Sequence, residues 1–190
     1  MKKNPARLIA PTLSLLLLLF ATSYPVFSQD KILVSNCRVS FTSDAPLELI
    51  KAESSQGKMV IDPVTNQFAV SVPVNSFQGF NSGLQREHFN EKYMESEKYP
   101  TATFMGKIIE TMDFSKDGTY VVRAKGTLNI HGQKQTRIIK AKVTIKNKMI
   151  SVVSDFTIPL ADHNISMPKL ISEKIASEIQ VNFNSGAYQQ

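Results

Sequence analysis

Three histidines, one cysteine and a cluster of carboxylates are the side chains of this 190-residue chain with chemistry to offer near neutral pH. His88, His131 and His163 lie far apart in sequence, and none has a second His, a Cys or grouped carboxylates at metal-ligand spacing. Asp162 and His163 are adjacent, but extended backbone sends neighbours to opposite faces. A serine nucleophile on a strand-to-helix elbow needs Gly-x-Ser-x-Gly, and a phosphate cradle needs a glycine-rich loop; the chain has neither. Glu87, Glu91, Glu95 and Glu97 interleave with Lys92 and Lys98, which describes a solvated helix face better than an acid/base pair. His131, followed by Gly132 at a turn, is expected to bond backbone or a neighbouring strand. The expectation is a protein without a catalytic centre, metal or cofactor.

The elements around these residues are strands, because apolar residues recur at every second position. Cys37, Val39 and Phe41 form one such set, which makes Cys37 a small buried hydrophobe and not a reactive thiol. Leu47 and Leu49 follow a turn, Met59 and Ile61 follow Gly57, and Phe68, Val70, Val72 and Val74 end near Pro73. After Pro100 come Ala102, Phe104, Gly106 and Ile108, and then the longest alternating run, from Tyr120 to Ile130. Two further hairpin-linked strands and a last one with Ile179, Val181 and Phe183 bring the expected count to eight or nine.

The spacing predicts an all-β fold: one antiparallel, eight- or nine-stranded closed barrel with a short helix in a long loop. Strands of about 11 residues at ~3.3 Å each reach ~35 Å, the height of a tall barrel. Small residues on the apolar faces, Ala102, Gly106, Ala124, Gly126 and Ala141, either leave room or let the sheet bend. Read consistently, the alternation turns Phe41, Met59, Val70, Val72, Phe104, Val122, Leu128, Val143 and Phe156 inward as a candidate apolar lumen. A barrel of this size fills with side chains or holds one small ligand, and the alternation alone leaves both open.

Residues 75–98 break the pattern. A long excursion with Phe77, Phe80, Leu84, Phe89, Tyr93 and Met94 is too apolar for a disordered linker. It predicts a short helix over 84–94 that covers one barrel end, with Leu84, Arg86, His88 and Phe89 as lid and rim.

The first 28 residues read as a cleaved export signal. Lys2, Lys3 and Arg7 precede an apolar run shorter than the roughly 20 residues of a membrane span, and Val26 and Ser28 suit cleavage before Gln29. Residues 29–190 then form one domain in a periplasmic or secreted setting. Removing the three cations lowers the formal charge from +6 to +3, an ordinary balance. No aromatic residues interleave with the lysines as nucleic-acid grooves require. Charge allows transient contact with an anionic membrane, and no obligate protein partner is indicated.

Two stretches carry a family likeness. Tyr99-Pro100-Thr101-Ala102-Thr103-Phe104 opens a strand, and Leu128-Asn129-Ile130-His131-Gly132 closes one on a turn. Together they resemble the YceI-like polyisoprenoid-binding family of lipocalin-like barrels, over most of the chain after Val39. The resemblance implies a long-chain lipid or polyisoprenoid in the lumen and no reaction. The chain departs from the family pattern at 161–168, where many members carry a loop containing Arg/Asp-Phe-Gly. The competing expectation is a filled barrel acting as a structural or interaction accessory.

Overall fold

Among the described residues, nine antiparallel strands account for the period-2 pattern: β1 (Ile32–Asp44), β2 (Leu49–Asp62), β3 (Gln67–Pro73), β4 (Thr101–Ile108), β5 (Gly118–Ile130), β6 (Gln133–Lys146), β7 (Met149–Pro159), β8 (Glu178–Ser185) and the two-residue β9 (Tyr188–Gln189). The structure is a computed structural model and describes residues 32–168, 171–186 and 188–189. The expected export signal at 1–28 lies outside the described residues.

The strands follow the order β6-β5-β4-β3-β2-β1-β8-β7, and β6 pairs with β7 to close an eight-stranded barrel. β9 adds a short rung to β7. The group at Leu49 and the group at Met59, separate in the alternation, belong to one 14-residue strand. The β5–β6 hairpin turns on His131 and Gly132, with φ of 51° and 72°. Positive φ at both central residues is the turn whose twist matches the flanking strands.

Where β4 crosses β5, Gly106 stands opposite Gly126. A Cβ on Gly106 would run into the Lys125 carbonyl and lie 2.5 Å from the Gly126 Cα, and one on Gly126 would run into the Met105 carbonyl. These glycines leave no empty space. They let two backbones approach and the sheet bend at a barrel corner.

The closure between β6 and β7 is partial. Ladder pairing covers only Lys142–Lys146 against Met149–Val153. Beyond it, side chains lace the gap. Ser154 Oγ donates to the Lys140 carbonyl at 2.7 Å, Arg137 Nη2 to the Thr157 carbonyl at 2.9 Å, and Gln135 Nε2 to the Asp162 carbonyl at 2.7 Å.

One half of the interior is solid. Met59, Ile61, Val122, Val143, Ile145 and Ile150 pack together there with Met112 and Phe114 from the β4–β5 loop. Cys37 is fully buried in the same cluster, and burial pushes its thiol pKa up to about 11.

Candidate functional site

The other half of the barrel is hollow. A cavity of about 240 Å³ lies among the mouth-side ends of the strands. Val72, Phe104, Leu128, Phe156, Ile158 and Val181 form part of its wall. Among the described residues, its lining includes no His, Cys, Asp, Glu, Lys or Arg side chain. Its polar side chains are few, Ser43, Gln85, Tyr93, Thr103 and Ser154, and three of them bond to protein. Ser43 Oγ accepts from the Ala176 amide at 2.9 Å, Ser154 Oγ donates to the Lys140 carbonyl, and Gln85 Nε2 donates to Glu48 Oε1 at 3.0 Å. A wall of this composition offers a guest mainly apolar contact, so the cavity selects for apolar surface.

The mouth is built by the excursion. The helix α1 (Gly83–His88) starts at Ser82, whose hydroxyl accepts from the Gln85 amide at 3.1 Å. An N-cap of this kind satisfies one of the orphan amides of the first turn. The chain then widens into a π-helical turn over Phe89–Tyr93, where the Met94 amide donates to the Phe89 carbonyl at 2.9 Å. The wider turn brings residues five apart onto one face, so Phe89 and Met94 both line the cavity, with Tyr93 beside them. Four rings fasten this mouth to the wall. Phe41 lies 5.4 Å from both Phe77 and Phe89 and 5.9 Å from Phe80, and Phe80 lies 5.1 Å from Phe89. Each such pair adds about 1 kcal/mol beyond area burial.

The nine candidate lumen residues divide by height. Phe41, Val70, Val72, Phe104, Leu128 and Phe156 line the cavity. Met59, Val122 and Val143 belong to the solid half, which corrects their assignment to the lumen: they share a face with the others but sit further down the barrel. The four lid and rim candidates divide as well. Phe89 lines the cavity, whereas Leu84 is 59% exposed and does not cover it. Arg86 is exposed and donates to the Asn75 carbonyl at 3.2 Å, and His88 Nε2 sits 3.0 Å from Lys92 Nζ, so both bond within their own segment. The reason is local: Gln85 in α1 and Phe89 just after it, four apart, face the cavity, which turns Leu84 away. Alternation had no means of finding Ile165, Met167 and Ile175, which complete the lining from the irregular segment between β7 and β8. Their only signal is apolar character inside a loop.

His131, in the β5–β6 turn, forms a clasp. His131 Nδ1 donates to the His163 carbonyl at 3.0 Å, and its Nε2 lies 3.0 Å from Glu95 Oε1. The bond to His131 and then that to Lys98 hold the Glu95 carboxyl below its ordinary value. The Tyr99 ring meets His131 edge-on at 4.8 Å, and a Cβ on Gly132 would lie 2.5 Å from that ring. The Tyr-Pro and His-Gly stretches are thus in contact, and their job is to tie the excursion to the barrel rim. Among the described residues, no group of three or more His, Cys, Asp and Glu side chains is placed to hold a metal.

His163 is fully buried, and its Nδ1 donates to the Gln133 carbonyl at 3.2 Å. Burial holds its pKa below 6.5. Folded protein keeps this ring neutral while the unfolded chain takes up a proton, so its contribution is full above pH 6.5 and is lost as the pH falls towards the depressed value. The loss is at most about 1.4 kcal/mol per pH unit in that window. Thermal melts at about pH 7.5 and about pH 5 should show a fall in wild type that is smaller in His163→Gln, which cannot gain a proton. Equal falls in the two proteins would contradict this.

The YceI-like domain profile matches residues 21–187. A search of the curated proteins finds no match. Among solved structures, a polyisoprenoid binding domain from Saccharophagus degradans, described as implicated in plant cell wall breakdown, superposes with a TM-score of 0.69 at 15% identity, covering 84% of this chain and 98% of that one. BcnA of Burkholderia cenocepacia gives 0.65 at 17% identity, covering 78% and 94%. The YCEI protein of Campylobacter jejuni gives 0.56 at 16% identity, covering 73% and 85%. At these identities the three structures speak for the barrel, while the profile spans nearly the whole chain. On that match the chain belongs to the YceI-like family.

Proposed function

We propose that this chain is an exported binding protein, periplasmic or secreted, that holds an extended apolar ligand such as a polyisoprenoid or another long-chain lipid in its cavity and performs no reaction on it. The observation that carries the reading is the lining: among the described residues it is mostly apolar and includes no charged side chain, and Ser43, Gln85 and Ser154 are bonded to protein. Such a site holds a guest by area. Each CH₂ removed from water is worth roughly 0.8 kcal/mol, so an isoprene unit of about five carbons gives ~3 to 4 kcal/mol before ordering costs. The likeness to the Saccharophagus polyisoprenoid binding domain supports this ligand class. The filled-core accessory reading fits only the half around Ile145 and Ile150.

Native mass spectrometry of the purified protein, followed by organic extraction, tests the proposal. The expected result is a protein mass beginning at Gln29, with an additional apolar molecule that the solvent releases. A protein that emerges empty and takes up no long-chain isoprenoid or fatty acyl compound would overturn it.

A further inference from the structure

The outer wall of β4, β5 and β6 is unlike the rest of the surface. β5 and β6 contain seven Lys and Arg residues and no Asp or Glu. On the exposed face, Lys107 stands directly opposite Lys125, and Arg123 directly opposite Lys140. Like charges in register repel across a sheet, so neither pairing serves the fold. Lys142 and Lys134 extend the same face and are exposed. Carboxylates border this wall on two sides and are engaged: beyond β6, Asp162 pairs with Arg137 at 3.4 Å and Asp155 accepts from Asn182 Nδ2 at 2.7 Å, and three more lie in the β4–β5 loop. Glu110 accepts from the Arg123 backbone amide at 2.6 Å and from its Nε at 2.7 Å, Asp113 pairs with Lys116 at 3.2 Å, and Asp117 accepts from the Asn147 amide at 3.1 Å.

Aliphatic side chains are set between these cations. Val121 is 73% exposed and opposite Lys142, Ile138 is 56% exposed and opposite Lys125, and Met105 is exposed beside them on β4. The outward positions of these strands hold no aromatic ring on which a nucleic-acid base would stack. Cations interleaved with aliphatic groups match the two layers of a lipid surface, anionic headgroups above and the acyl boundary below.

We propose that the outer wall of β4–β6, where Lys107, Lys125, Lys140 and Lys142 lie around Val121 and Ile138, is a docking surface for an anionic lipid bilayer. The barrel then lies on its side, with β6 and the laced gap to β7 close to the headgroups. None of these side chains lines the cavity, so docking and ligand binding are separable.

Vesicle flotation tests the proposal. Vesicles of phosphatidylcholine with about one third phosphatidylglycerol should bind the purified protein, pure phosphatidylcholine should bind it far less, and added salt should release it. The Lys107→Glu/Lys125→Glu/Lys140→Glu variant should bind about tenfold more weakly or worse, and Val121→Ser/Ile138→Ser should fall between. Both should keep the wild-type melting temperature and ligand load. If the charge-reversed protein fails to fold, Lys107→Gln/Lys125→Gln/Lys140→Gln carries the same comparison. Wild-type binding by these lysine variants would overturn the proposal, as would no gain from phosphatidylglycerol. Capture by soluble heparin but not by vesicles would reassign the face to a polyanion and overturn it too. Loss of binding in Leu47→Ser/Leu84→Ser, with the lysine variants unaffected, would place docking at the mouth instead. A protein that docks yet carries no apolar molecule would sink the carrier reading alone.

Discussion

Gly126→Ala is expected to destabilise the protein by about 3 kcal/mol or more, although it adds a single methyl group. The new Cβ would run into the Met105 carbonyl and lie 3.0 Å from Phe104 Cε2. Neither the carbonyl nor its strand can yield without breaking the β4–β5 ladder, because Met105 and Thr127 are themselves paired in register. Gly106→Ala should cost as much for the mirror-image reason, since its Cβ meets the Lys125 carbonyl. Against a total stability of about 5–15 kcal/mol, either change takes a large share. Urea unfolding is the measurement. Alanine variants within about 1 kcal/mol of wild type would show that the two strands have slack.

Ala102→Phe should do the opposite: keep the fold and remove the function. Ala102 lines the cavity on β4, opposite Val72 on β3. A ring added there enters empty space. Filling such space commonly raises stability by about 0.5–2 kcal/mol. The same ring excludes the guest. If it displaces about three methylenes at ~0.8 kcal/mol each, affinity falls roughly fiftyfold. The readout is the amount of apolar compound extracted per mole of protein, together with the melting temperature. A stable Ala102→Phe protein with a full ligand load would contradict the placement of the site. A variant that unfolds would show the wall to be tightly packed at this position.

The contrast between these two substitutions marks how far the sequence could be read. Alternation shows which side of a strand a residue occupies, because the side-chain period is two. It places Gly126 and Leu128 on one face without saying that one sits where backbones touch and the other beside a cavity. Height along the barrel axis depends on strand stagger, which is a property of pairing. That is why Met59, Val122 and Val143 fell in with Phe104 and Phe156. The apolar excursion over 75–98 was legible as an ordered cover because its aromatic content demanded burial. The π-turn at Phe89–Tyr93 was not, since one residue more in a turn leaves no compositional trace. The chain-reversing role of His131-Gly132 was legible in the glycine. Its bond to Glu95, 36 residues away in sequence, was not.

Cys37, with no exposed surface and a thiol pKa near 11, offers almost no thiolate to an oxidant or an alkylating reagent while β1 stays in the sheet. Two copies meeting in an oxidising fluid therefore have no sulfur to join them, and covalent dimers arise only from molecules that have opened. Labelling of Cys37 by a small maleimide becomes a clock whose ticks are excursions of β1 from its place between β2 and β8.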